Sequence, residues 1–100
     1  GEAVALSLRN LFIDIAFISA SSWSLRGLST PNEDKVVVKR AAVEASRKRV
    51  LLCDTSKYGR IATHLATPLN VFDSIITDDG LPAAAKEALS KMGVEVLVAG

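Results

Sequence analysis

The run Val50-Leu51-Leu52-Cys53 passes without a break into Asp54-Thr55-Ser56-Lys57-Tyr58-Gly59. A short apolar run bounded by turn residues is the mark of a buried strand. In an α/β protein the polar cluster that follows falls just past the carboxyl end of that strand. Open α/β sheets keep their ligand sites there.

The rest of the chain repeats the pattern. Phe12 to Ile18 reads as a strand that is apolar on both faces beyond Asp14, hence interior and parallel. Asp73 to Asp78 is a second apolar run with a polar end, and Val94 to Val98 is the last strand. Ile61 to Ala66 reads as a further short strand. Helices alternate with these runs. Glu2 to Asn10 places Val4, Leu8 and Leu11 on one side, and its abrupt start suggests a chain that begins inside a domain. Glu33 to Arg47 is the best helix, with Asn32 as its N-cap after Pro31. Its β-branched run Val36-Val37-Val38 also fits a strand, but length and the Ala-rich continuation favour helix. Pro82 opens a helix to Lys91 at the first helical position, and Gly93 caps it. Pro68 to Phe72 reads as a turn or a helical turn. Ser19 to Asn32 reads as a polar loop of about 14 residues, long enough to suggest function. The order predicts an α/β layered fold, with a mostly parallel sheet and helices on both faces.

Bulk properties narrow the function. One hundred residues make one small domain or part of a larger one, and 49% hydrophobic residues exclude disorder. Twelve Lys and Arg stand against 11 Asp and Glu, so the net charge of +1 gives no field for nucleic acid. The basic pair Lys39-Arg40 and the run Arg47-Lys48-Arg49 read as a solvated helix face and a helix C-terminus. The single cysteine, Cys53, rules out an internal disulfide and reads as a packed, inert thiol. No apolar run reaches the roughly 18 residues of a membrane span. The expected setting is a reducing, cytoplasmic one, and no cofactor is implied.

Several residues could carry chemistry. Lys57, at a strand's carboxyl end, can meet a phosphate or carboxylate, and Asp54 can orient it or accept sugar hydroxyls. A turn in which Asp54 and Ser56 bond each other's neighbourhood explains the same residues. Asp78 and Asp79 follow their strand in the same way, and helix capping accounts for them more cheaply. Ser19, Ser21, Ser22 and Ser24 can donate to phosphate oxygens or simply be loop residues. His64, the only histidine, lacks companions at metal spacing. The chain has no P-loop, no G-x-G-x-x-G and no G-x-S-x-G. Trp23 packs over a ligand, over a neighbouring subunit, or into its own loop.

Five elements occur in order: Asp14-x-Ala16-Phe17-Ile18, Arg26-Gly27-Leu28-Ser29, Val38-Lys39-Arg40, Asp54-x-Ser56-Lys57-Tyr58-Gly59 and Asp73-x-Ile75-Ile76-Thr77-Asp78. Together they resemble the C-terminal sensor domain of DeoR-type bacterial repressors over nearly the whole chain. The resemblance implies a fold like that of ribose phosphate isomerase and glucosamine phosphate deaminase. It also implies a small-molecule effector, a phosphorylated sugar or related metabolite, and homo-oligomerisation. Operator DNA would be reached only through an N-terminal helix-turn-helix that these residues do not contain. The first part of the sensor domain, with its glycine- and threonine-containing phosphate loop, is likewise absent, so residues 1–100 read as the later part of that domain. Lys57, Asp54, Lys39, Ser19 and Ser21 are the expected ligand-binding set. Two departures stand out. Ser19-Ala20-Ser21-Ser22 replaces a Gly-x-Ser-Gly turn, and Lys35 replaces a glutamate four residues before Lys39. The isomerase's two carboxylates correspond to Ile18 and Ser21, so a binding role is expected and catalysis is not. The alternatives are a fragment of a sugar-phosphate isomerase or deaminase, and a pure oligomerisation module.

Overall fold

The computed structural model describes residues 1–99. Three helices, α1 (Glu2–Arg9), α2 (Glu33–Ala45) and α3 (Ala83–Lys91), alternate with seven strands. Strands β1 (Ile13–Ser19), β4 (Ser46–Leu52), β6 (Ser74–Thr77) and β7 (Glu95–Val98) form one sheet in the order β1-β4-β6-β7, parallel throughout. Strands β2 (Ser22–Ser24), β3 (Gly27–Thr30) and β5 (His64–Thr67) form a small antiparallel sheet in the order β2-β3-β5. The α/β class and the mostly parallel sheet agree with the sequence expectation. No helix among the described residues is long and apolar enough to cross a membrane.

Local chemistry sets the element ends. The Asn32 side chain accepts the Asp34 N–H at 2.9 Å, the expected N-cap of α2. Helix α2 stops at Ala45, where Ser46 turns extended and its hydroxyl donates to the Val43 carbonyl at 3.1 Å. Gly93, at φ +82°, ends α3 as expected. Pro82 stands one place earlier than expected, at the N-cap of α3.

Two expectations need correction. Residues 19–32 are not one long loop, because they contain the β2–β3 hairpin. Arg47-Lys48-Arg49 is not the end of a helix, because it lies in β4. Ser46 pairs with Ile13 and Lys48 with Ile15, so β1 captures the basic segment as strand while the Arg47 and Lys48 side chains stay exposed. Tertiary pairing overrides local helix preference there.

The core lies on one side of the parallel sheet. Ile18, Leu51 and Ile75 share a row across β1, β4 and β6. They pack with Trp23 and Leu28 of the small sheet, Val36 and Val43 of α2, and Ala85 and Leu89 of α3. Of the two covering layers expected, these residues supply one. The opposite face carries Ile15, Phe17, Leu52 and Leu97, all exposed.

Candidate functional site at the carboxyl ends of the strands

The parallel strands β1, β4 and β6 end side by side at Ser19, Leu52 and Thr77. Parallel order makes this one rim, and the polar segments after each strand meet along it.

At the β1 end, a cavity of about 460 Å³ opens between the strand and α2. Phe17, Ile18 and Ser19 form one wall, and Lys35, Val38 and Lys39 the other, with Gly1, Asp34 and Ala42 at its margins. Lys35 and Lys39 are one helical turn apart, so both ammonium stems follow one face of α2. The Lys39 ammonium donates to the Ser19 carbonyl oxygen. Burial, and secondly the charge of Lys35, lower the Lys39 pKa from its ordinary value. Both effects penalise an ammonium that has no anion beside it. The nearby Asp34 carboxylate leaves the pocket's balance at two cations to one anion.

At the β4 end, the chain turns at once. Thr55–Lys57 forms a single 3₁₀ turn, and the Ser56 hydroxyl bonds the Asp54 carboxylate. The turn reading of this motif is therefore correct as far as Asp54 and Ser56 go. Burial, with the charges of Asp54 and Asp78 behind it, pushes the Cys53 thiol up to about 12. A thiol so held stays protonated and unreactive at neutral pH.

The sequence did not reveal what fixes this turn. Asp78, just beyond β6, accepts the Thr55 N–H at 3.2 Å, the Thr55 hydroxyl, and the Gly80 N–H at 3.0 Å. These donors hold its pKa below the usual carboxylate value, with the Thr55 hydroxyl foremost. Asp78 thus joins the loops after β4 and β6, a job beyond helix capping. A Cβ on Gly80 would press on the Thr55 hydroxyl, so the contact needs a glycine. The residue types are ordinary turn residues, and only the pairing of β4 with β6 brings them together.

Trp23 anchors its own loop. It is wholly buried, its indole N–H donates to the Asp54 carbonyl at 3.1 Å, and its ring meets Tyr58 edge-on at 4.8 Å. The Trp23 carbonyl accepts the Gly59 N–H at 2.8 Å, where Gly59 adopts φ +85°. The hairpin and the lysine-bearing turn are thereby one packed unit.

Among the expected ligand residues, Lys39 and Ser19 meet in the cavity. Asp54 and half-buried Lys57 stand on the adjacent strand end. Neither Lys57, Asp54 nor Ser21 lines that cavity. Lys35, Phe17 and Val38 do, and the sequence reading did not place them there. The helical period of α2 was the signal for Lys35, which sits four residues, one turn, before Lys39. His64 lies elsewhere, its Nε2 3.9 Å from a Glu33 carboxylate oxygen.

An open parallel sheet with polar loops and a cationic cavity at its carboxyl rim has the arrangement in which α/β domains keep small-molecule sites. The chain belongs to the DeoR C-terminal sensor domain family, whose family model matches residues 1–79. It is 66% identical over 99 residues to an uncharacterized HTH-type transcriptional regulator, YgbI, of Escherichia coli K12. It is 48% identical over 98 residues to an uncharacterized HTH-type transcriptional regulator of Haemophilus influenzae. A putative aga operon transcriptional repressor of Escherichia coli O157:H7 is 36% identical over 101 residues. These matches cover 98–100% of this chain but only 38–39% of each relative. The chain is thus a DeoR C-terminal sensor domain, and these relatives are named as transcriptional regulators.

Proposed function

We propose that this domain binds a phosphorylated sugar or related anionic metabolite as the effector of a repressor of carbohydrate catabolism. The carrying observation is the cavity between β1 and α2, where Lys39 and Lys35 converge beside Ser19. A phosphate there meets two ammonium groups, one of them already disfavoured by burial and by the charge of the other. Ser21, Asp54 and Lys57 line the neighbouring rim, where Lys57 adds a third cation and Asp54 an acceptor for sugar hydroxyls. Binding, not turnover, is the role, because the positions matching the isomerase's carboxylates are Ile18 and Ser21 and leave proton transfer without a base.

Effector binding then favours one arrangement of a homo-oligomeric regulator, and operator affinity changes in a DNA-binding domain outside these residues. That coupling requires the two arrangements to differ in effector affinity. The test is a thermal-shift screen of the full-length regulator against sugar phosphates and the matching free sugars. A rise in Tm with one class of phosphate, lost in Lys39→Ala and Lys57→Ala, supports the reading. A rise that both variants retain removes these lysines from the site. Silence across the panel removes the sugar-phosphate assignment.

A further inference from the structure

Three ammonium groups stand along the carboxyl rim, and among the described residues none has a carboxylate at ion-pair distance. Lys35 and Lys39 belong to α2, and Lys57 to the turn after β4. The ion pairs of the described residues engage Arg9, His64 and Lys91 instead. Two acids of the rim are held by other donors. The Asp54 carboxylate takes the Ser56 hydroxyl, and Asp78 takes donors from Thr55 and Gly80.

The three lysines do not form one site. Lys35 and Lys39 line the cavity between β1 and α2, and Lys57 does not. Lys57 lies past the end of β4, the strand next to β1. One to two strand spacings, roughly 5–10 Å, separate the two positions. A single phosphate does not reach both. The second position is nonetheless a fixed one. The Trp23 indole N–H donates to the Asp54 carbonyl, and Asp78 accepts the Thr55 N–H, so the turn that carries half-buried Lys57 is held from two sides. A cation presented from a fixed turn loses less freedom on binding than one on a loose loop. Charge then distinguishes the two positions. A phosphate monoester carries close to two negative charges above about pH 6, which the two ammonium groups of the cavity answer. Lys57 is left to meet one further negative charge, and a carboxylate supplies that.

We propose that the effector is a phosphorylated sugar acid, with its phosphate in the cavity between Lys35 and Lys39 and a carboxylate at the other end of its carbon chain against Lys57. The inference deepens the sugar-phosphate reading and rests on it. A neutral sugar end would leave the Lys57 ammonium without an anion. A bisphosphate would set a second dianion against one ammonium.

The test is titration calorimetry of the full-length regulator at neutral pH. Tetrose, pentose and hexose phosphates are each compared with the aldonate phosphate of the same chain, as glucose 6-phosphate with 6-phosphogluconate. Free aldonates and fructose 1,6-bisphosphate complete the panel. One aldonate phosphate is expected to bind on the order of ten-fold more tightly than its matched sugar phosphate. Lys57→Gln is expected to bring that ratio close to one. Lys57→Arg, which keeps the charge, should keep most of the ratio and so separates lost charge from a damaged turn. Lys39→Ala should weaken both ligands of the pair and leave the ratio in place. Sugar phosphates that bind as tightly as their aldonate phosphates would overturn this inference alone and leave the sugar-phosphate reading standing. Tighter binding of the bisphosphate, or a ratio that Lys57→Gln does not move, would do the same. Silence from every phosphate, or free aldonates that bind as well as phosphorylated ones, would overturn both readings.

Discussion

Asp78 carries more of the rim than its place in a turn suggests. Its two oxygens take the Thr55 N–H and hydroxyl and the Gly80 N–H, so one carboxylate fixes the loops after two neighbouring strands. An amide offers one acceptor oxygen where the carboxylate offers two. Asp78→Asn is thus expected to loosen residues 54–57 while leaving the sheet intact. Faster hydrogen exchange confined to that turn is the readout, and an unchanged turn would refute the role. The pH sign follows from the lowered pKa. A carboxylate bound more tightly to its donors in the folded state contributes stability above its unfolded pKa, near 3.9. That stability disappears as pH falls through the lower folded value. Cys53 makes an opposite case at the same rim. With its thiol pushed up to about 12, alkylation by iodoacetamide is expected to be slow at pH 7 to 8 compared with a free thiol. Alkylation of native protein at the free-thiol rate would show that the rim does not shield it.

At the scale of elements, the sequence was most legible where apolar runs were short and continuous. The strands around Ile18, Leu51 and Ile75, and the Asn32 cap of α2, announce themselves through local chemistry. The β2–β3 hairpin does not, because Ser22, Ser24, Ser29 and Thr30 look like loop residues. What makes it a hairpin is remote: Trp23 bonds Asp54, and β3 pairs with β5. Gly27 shows how tight that pairing is. It sits at φ +138°, and a Cβ there would overlap the Thr67 carbonyl oxygen. Gly27→Ala is therefore expected to cost about 2 to 4 kcal/mol, from backbone strain plus displacement of β5. Urea unfolding of the full-length protein measures it, and a loss below about 0.5 kcal/mol would mean that the hairpin moves freely. Likewise Arg47-Lys48-Arg49 carries no strand signal of its own, and only β1 makes it one. The candidate site shares this division. Its place just after a strand singled out Ser19, whereas Lys39 read locally as solvated helix face and entered the expected set only with the family resemblance. Their meeting, and the inclusion of Lys35, depend on how α2 lies across the end of β1.

Across the whole molecule, the parallel order of the sheet gathers charge at one rim, and Lys39 gives that arrangement a measurable signature. In the free domain its pKa is lowered, first by burial and then by Lys35. A phosphate beside it would favour the ammonium and raise the pKa again. Binding would then take up a proton wherever free Lys39 is partly neutral, between its lowered pKa and the ordinary lysine value near 10.4. Affinity for a sugar phosphate should accordingly weaken as pH rises through that window. It should also weaken on the acid side of about pH 6, where the phosphate loses its second charge. Only the alkaline arm belongs to the protein. Lys39→Arg keeps a charge that does not titrate there, so it should bind with the acid arm alone and without alkaline proton uptake. Titration calorimetry of the full-length regulator, in buffers of different ionisation enthalpy, separates the two arms. If Lys39→Arg retained the full proton uptake of the unsubstituted protein, the phosphate would have to sit against another lysine, and Lys57 on the neighbouring strand end would be the next to test.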